Sequence, residues 1–496
     1  MYRHNENQTI LPSEYFMPFG GKLNPNNRWC KLAAIIPWAE IETRYIEKLG
    51  NTKVGQRAYP ARMGLGALLI QNRKRLSDMD TVEEITENPY LQYFIGLSGF
   101  SDKPPFDPSL MVHFRKRFSK EIINEINEMI AMAAIVKQTE KSDSGKDDDD
   151  GGPRTGGDPG SPEEDEPPEQ LEIWDNNGKL ILDATCAPVD IHYPTDLWLL
   201  NEARKSTEEI IDTMHEPEVG TVKKPRTYRE KARRQYLNID KKRKKSAKAI
   251  RKAIGQQLRY IRRNLKTIES MAGRDLLKCL SKKQYRNLLV VQEIYRQQEE
   301  MHRNQTHKVD DRIVSIHMPF VRPIVRGKAS AEVEFGPKLA ISVVNGYTFM
   351  EHMSYDAFNE GTMLIASAEN YRKKFGSYPE AILADKIYRN RENLRFCKKH
   401  NIRLSGPPLG RPPKDEELLR EMERQERKDI GERNAVEGKF GEGKRFYGLG
   451  RIMARLRETG ETVVSMQLLV MNLEKCLRIL LTHFFWSVFR RLELDT

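Results

Sequence analysis

Before residue 140, apolar residues recur at helical spacing in three stretches, 61–76, 79–87 and 108–118, with proline and glycine between them. That pattern predicts a small all-helical domain over residues 1–140. From Lys141 to Gln170 the chain reads KSDSGKDDDDGGPRTGGDPGSPEEDEPPEQ, without one large apolar side chain, and predicts an acidic disordered linker. Beyond it, 179–191 (KLILDATCAPVDI) predicts a short buried strand that ends in acid. The stretch 197–308 returns to helical spacing and is very polar. Strand character resumes at 334–344 and 347–353, joined by Asn345-Gly346, the strongest short hairpin signal. A helix over 361–375, an apolar run PEAILAD ending at Asp385, a helix over 390–400 and the strand-like IRLSG complete the series. Strand, hairpin, helix, strand, helix, strand predicts a mixed α/β sheet built from 171–196 and 309–461, interrupted by a helical insertion over 197–308.

The run from Val463 to Phe489 is the longest apolar stretch, but Glu474, Lys475, Arg478 and His483 break it well short of the roughly 18 clean apolar residues a membrane span needs. Residues 462–496 are therefore expected to form a C-terminal core helix, with no membrane as partner. Met1 to Gly20 is polar and offers no apolar stretch of the secretory type. Cys30, Cys186, Cys279, Cys397 and Cys476 lie far apart, without zinc-ligand spacing, which predicts reduced thiols. A cytoplasmic, nucleoid-associated protein is the expectation.

Charge sharpens this outline. The 496 residues carry a net +12, while the linker's 11 acids and 3 bases give it −8, so the remainder carries +20. Such an excess points to a polyanion as partner. Between Lys223 and Lys266 there are 19 Lys and Arg against Glu230 and Asp240 alone, with Lys241, Lys242, Arg243, Lys244 and Lys245 consecutive. That density predicts sequence-independent phosphate binding by a basic insertion. Tyr228, Tyr236 and Tyr260 lie among these cations at a spacing that fits helix packing better than base stacking. Two further basic segments are candidates for DNA contact: PSLMVHFRKRFSK, where Arg115 and Arg117 flank an apolar stripe of Leu110, Phe114 and Phe118, and SIHMPFVRPIVRGK, with His317, Arg322, Arg326 and Lys328.

The chemistry rests on three acids. LILD ends at Asp183 and ILAD at Asp385, so each places a carboxylate at the C-terminal end of an apolar strand, where ligand sites of α/β sheets form. Arg433, Glu437 and Lys444 follow the spacing Arg-x3-Glu-x6-Lys, and offsets of four and seven put all three on one helical face. Two strand-end aspartates with a helix-borne glutamate could hold two Mg²⁺ ions about 3.5–4 Å apart, a geometry for in-line phosphoryl transfer. Asp190, seven residues beyond Asp183, is the rival ligand on the first strand. Gly438-x4-Gly443-Lys444 imitates a phosphate-binding P-loop, but Arg445 stands where a Mg²⁺-binding hydroxyl would be, and no apolar strand precedes it. Glycines at 438, 441, 443, 448 and 450 disfavour a strong helix by propensity; close approach of a DNA backbone is one reason to tolerate them.

In YPARMGLGALLIQNRKRLSDMDTVEEITENPYLQYFIGL, LDATCAPVDIHYPTDLWLLNEAR, SIHMPFVRPIVRGKASAEVEFGPKLAISVVNGY, ILADKIYRNRENL and ERNAVEGKFGEGKRFYGLGRI, the chain resembles insertion-sequence transposases of the DDE type, in the broad IS-four/IS-five group. The resemblance implies an α/β RNase H-like core with a helical N-terminal domain and a basic helical insertion between the first two core strands. It implies Asp183, Asp385 and Glu437 as the catalytic and metal-binding triad, served by two Mg²⁺ ions for which Mn²⁺ can substitute. The family's Tyr-x2-Arg-x3-Glu-x6-Lys signature is matched at Arg433, Glu437 and Lys444, with Ile430 in place of the tyrosine. The implied activity is cleavage at transposon ends by a metal-activated water, followed by attack of the freed 3′-OH on target DNA. The implied partners are double-stranded DNA, as transposon ends and as target, and a second copy of the chain or a higher oligomer on DNA. Two other readings are kept: a catalytically inactive DNA-binding repressor or end-capping protein, against which an intact triad argues, and a stand-alone metal nuclease that cuts without joining strands.

Overall fold

A computed structural model describes residues 11, 13–17, 21–49, 58–143, 176–328, 331–407 and 415–494. The first of these segments are helical, as their spacing predicts: α1 (Arg28–Ile35), α2 (Trp38–Leu49), α3 (Ala61–Lys74), α4 (Asp78–Glu87), α5 (Pro89–Phe94), α6 (Leu110–Arg117) and α7 (Lys120–Asp143). Local chemistry fixes the starts. Ser77 and Asp80 form a reciprocal capping box at α4, and Asn88 caps α5 ahead of Pro89 in the first helical turn. α3 is the centre of this layer and is buried from Ala61 through Ile70. Gly64 allows the rings of Phe114 and Phe118 to lie against it, since a Cβ there would sit 3.1 Å from both. The acidic linker expected over 141–170 lies outside the described residues except at 141–143, which continue α7.

After β1 (Lys179–Cys186), the expected insertion is a bundle of α8 (Asp196–His215), α9 (Arg229–Asp240), α10 (Ala247–Ala272) and α11 (Lys282–Asn304). Its interior holds one fully buried cation, Arg204, bonded to Glu208, to Asn201 at 2.9 Å and to Gln257 at 3.1 Å, so that the charge is paired and its donors are used. Tyr236 and Tyr260 are buried in the bundle, as packing residues should be, while Tyr228 is half exposed beneath the Arg263 guanidinium.

The chain then forms β2 (Pro323–Lys328), β3 (Ala331–Phe335), β4 (Lys338–Val344), β5 (Tyr347–Ser354), α12 (Leu364–Phe375), β6 (Ala381–Leu383), α13 (Arg391–Lys399), β7 (Arg403–Leu404), α14 (Glu416–Phe446) and α15 (Arg457–Leu494). Five of the strands make one mixed sheet in the order β5-β4-β1-β6-β7, in which β4 is antiparallel to β1 and β5, while β6 is parallel to β1 and β7 to β6. β2 and β3 pair separately. The single strand expected over 334–344 is therefore two strands in two sheets. The break falls at Gly336-Pro337, because Gly336 crosses the Ala187 carbonyl so closely that a Cβ would collide with it. The expected hairpin is present, with Asn345 at φ 49° and Gly346 at φ 77°, the left-handed pair a tight primed turn requires.

α7 and α15 pack together and on β5, which joins the N-terminal helices to the sheet. Residues 464–477 of α15 are almost wholly buried, so this part of its apolar run is core, while Leu480 beyond it is exposed. Among the described residues, no helix is long and apolar enough to cross a membrane.

Candidate active site

β1 and β6 are paired in parallel with Lys179 opposite Ala381, Leu180 opposite Ile382 and Ile181 opposite Leu383. Asp183 lies two residues beyond the last of these pairs, within β1, and Asp385 lies two residues past Leu383, beyond the end of β6. Adjacent strands lie about 4.8 Å apart, so the pairing of β1 with β6 brings the two acid-bearing segments side by side. Asp183 is half-buried and accepts a 2.7 Å bond from the Ala184 amide. Asp385 has turned out of the sheet; it is exposed and accepts 2.7 Å from the Lys386 amide.

α14 lies across β1, β6 and β4 and is fixed there by charge as well as by Val436, which is fully buried. Asp429, buried, holds Arg403 of β7, and Glu432 takes Lys179 of β1 at 2.7 Å. Arg433 then reaches Asp385 at 3.2 Å. Glu437 stands one turn beyond Arg433 on the same side of α14 and is exposed. Lys444, seven residues on, lies 3.8 Å from Glu334 of β3. Despite its glycines the segment is one unbroken helix to Phe446, against the propensity expectation. Gly438 and Gly441 have nothing within 4 Å of a notional Cβ, so the helix is smooth and open beside Glu437. The P-loop imitation lies within this helix, as its rejection requires.

Sequence spacing does not reveal three further groups here. Tyr388, three residues after Asp385, is fully buried, and its phenol is pushed far above its ordinary value by burial and then by the negative charges of Glu360, Asp183, Asp385 and Glu351. Glu351 is the extra residue of a β-bulge in β5, held by the Ser342 hydroxyl at 2.6 Å and Asn370 at 3.1 Å, while Glu360 pairs with Lys338 at 2.8 Å. A period of two cannot locate a bulge, which is why Glu351 is illegible in the sequence. Among the described residues no group of three acidic, histidine or cysteine side chains converges as a metal centre. The donor chemistry nonetheless suits a hard divalent cation: Asp183 within β1, Asp385 just beyond β6 and an exposed Glu437 on α14 are all carboxylates.

Other candidates sit elsewhere. Asp190 lies past the strand end and binds Arg451 at 2.6 and 2.9 Å. His192 stacks on Trp198 at 4.4 Å, and Asp196 anchors Arg312 and Gln298, each at 2.7 Å. Arg115 turns inward to Asp78 at 2.6 Å and to Gln71, and Arg117 meets the Tyr45 hydroxyl at 3.3 Å, so α6 spends its arginines on packing and does not offer them to the site. Arg322 donates to the Pro319 carbonyl at 2.5 Å and closes its own loop. Arg326 and Lys328 lie on β2 at positions whose side chains fall outside the described residues. Lys241 to Lys245 are exposed, with Lys245 3.6 Å from Asp240. Burial, then the charges of Lys283, Arg455 and Arg286, hold the His317 imidazole below its ordinary value, which marks a cationic region where the insertion meets the loop after α14.

Two family models match this chain. One is a transposase DDE domain, over residues 382–474; the other is a transposase domain (DUF772), over residues 18–117. An uncharacterized protein, ORF8 of the nfe locus of Rhizobium meliloti, is 33% identical over 124 residues, which are 25% of this chain and 58% of that protein. The chain thus spans less than two thirds of that relative. No solved structure matches. With one transposase model lying across α1 to α6 and another across β6, α14 and the first half of α15, these two stretches of the chain are identified as similar to transposase domains, the second of the DDE type.

Proposed function

We propose that the protein cuts DNA at transposon ends and joins the freed ends to target DNA, with Asp183, Asp385 and Glu437 as its catalytic acids. The observation that carries this reading is the parallel pairing of β1, which holds Asp183, with β6, which leads to Asp385, together with the contact of Arg433 of α14 with Asp385 at 3.2 Å. The sheet order β5-β4-β1-β6-β7, with its first three strands antiparallel and its last two parallel to β1, supports an RNase H-like core. In this reading the three acids hold Mg²⁺, which when bound supplies Lewis-acid activation of the attacking oxygen. Arg433 and Lys444 face the same site and orient the scissile phosphate or its neighbours, as guanidinium and ammonium groups do. The exposed Lys241, Lys242, Arg243, Lys244 and Lys245 hold more distant phosphates, adding affinity without sequence preference. Water attacks the phosphodiester at the element's end and releases a 3′-OH, which then attacks a phosphodiester of the target. Buried Tyr388 remains a neutral phenol beneath the aspartates and is not a nucleophile.

The test is cleavage and strand joining with purified protein, Mg²⁺ and duplexes carrying the DNA that borders the reading frame. Asp183→Asn, Asp385→Asn and Glu437→Gln should each abolish cutting while a gel shift on the same duplex survives. Normal cutting by Asp385→Asn would overturn the site.

A further inference from the structure

The Arg433 guanidinium lies 3.2 Å from the Asp385 carboxylate, the same group that the proposed function assigns to the metal. A guanidinium and a divalent cation compete for one carboxylate, since each draws on the same lone pairs and the same negative charge. Asp385 is more than half exposed and Arg433 about a quarter exposed, so the pair is held loosely and can exchange. Its surroundings make the exchange directional. Glu437, the next acid along the same face, is exposed, and no convergent group of three donors is formed among the described residues. An arriving DNA phosphate would bring to Arg433 a stronger, bidentate acceptor at the end of the helix left smooth by Gly438 and Gly441.

We propose that Arg433 is a positioning residue that guards Asp385: without DNA it neutralises the carboxylate and weakens metal binding, and on DNA it transfers to a phosphate and leaves Asp385 to the metal. This deepens the proposed function and rests on it. Metal loading is then coupled to substrate, and by linkage the metal must tighten DNA by the same factor as DNA tightens the metal. Such coupling would keep the nuclease centre unloaded away from DNA.

The experiment measures binding and not turnover. Ca²⁺ affinity is followed by calorimetry with the full chain, alone and with a duplex carrying the sequence that borders the reading frame. Wild type should bind Ca²⁺ more tightly when DNA is present. Arg433→Ala should bind Ca²⁺ without DNA about twofold to fivefold more tightly than wild type, the range set by one exposed ion pair, and should lose most of the DNA dependence. Arg433→Lys, which keeps a charge, should restore part of it. Equal or weaker Ca²⁺ binding by Arg433→Ala without DNA overturns the guard. Asp385→Asn separates the two ideas: if it removes Ca²⁺ binding while Arg433→Ala changes nothing, the guard alone fails, whereas unaltered Ca²⁺ binding by Asp385→Asn removes the metal site itself.

Discussion

Asn472 of α15 and Asn127 of α7 meet through a 2.8 Å amide hydrogen bond inside the protein, over β5. The Asn472 side chain also accepts from the Thr348 amide at 2.9 Å and donates to the Thr348 carbonyl at 2.8 Å, while Asn127 donates to the same carbonyl at 2.9 Å. All three residues are 2% exposed or less. Two helices and an edge strand are thus fixed in one register by a closed polar network, and the N-terminal helices are tied to the sheet that carries Asp183. Asn472→Ala leaves the Asn127 side-chain oxygen and the Thr348 amide N–H without partners in a dry interior. It should cost about 2–4 kcal/mol, with a clear fall in melting temperature. Asn472→Asp should be worse, because it buries a charge. A loss below about 1 kcal/mol for Asn472→Ala, measured by urea unfolding, would mean that water reaches the network.

Glu42 of α2 is almost wholly buried, and burial pushes its carboxyl up to about 7 from the ordinary value near 4.5. The folded state thus binds its proton more tightly than the unfolded chain does. Stability linked to Glu42 is complete below pH about 4.5 and is lost progressively as pH rises to about 7. Glu42→Gln removes the titration while keeping the shape. It should raise stability at pH 8 by about 2–3 kcal/mol and change it little at pH 4.5. Melting curves at the two pH values check this, and an equal gain at both would show that the carboxyl is not the cause.

The polar face of the insertion should set affinity and not specificity. Lys241, Lys242, Arg243 and Lys244 are exposed and held on the loop between α9 and α10, where side chains can follow any phosphate path. Changing them to Gln should weaken binding to unrelated duplexes alike and reduce the slope of log K on log salt by about 0.9 for each phosphate that is no longer neutralised. A weakening confined to one DNA sequence would point to base reading instead.

What the sequence discloses about this fold follows from where its signals are local. The Asn345-Gly346 turn and the helical bands around α3 are each specified by neighbours in sequence, and their placement can be read directly; the end of β1 cannot, since the strand runs past Asp183 to Cys186, where pairing with β4 continues it. The break at Gly336 cannot, because it depends on the Ala187 carbonyl passing nearby. Charge and helical spacing mark Arg115 and Arg433 as candidate DNA-binding residues. Tertiary packing sends the first to Asp78 and the second to Asp385, and no periodicity encodes either partner. The unbroken run of α14 through its glycines likewise owes less to propensity than to the anchors Asp429, Glu432 and Val436.

Gly438 offers a test of what approaches that helix. It lies within α14 directly after Glu437, with no atom within 4 Å of a notional Cβ, so nothing in the protein itself requires a glycine there. Helix propensity alone then favours replacement, and Gly438→Ala should stabilise the protein by about 0.5–1 kcal/mol. If the open face is where the DNA backbone lies, a larger side chain separates stability from function. Gly438→Leu should melt no lower than wild type yet bind end DNA at least tenfold more weakly and cut it correspondingly less. Should Gly438→Leu fold, bind and cut as well as wild type, the DNA does not pass over this face, and the smoothness of α14 needs another explanation.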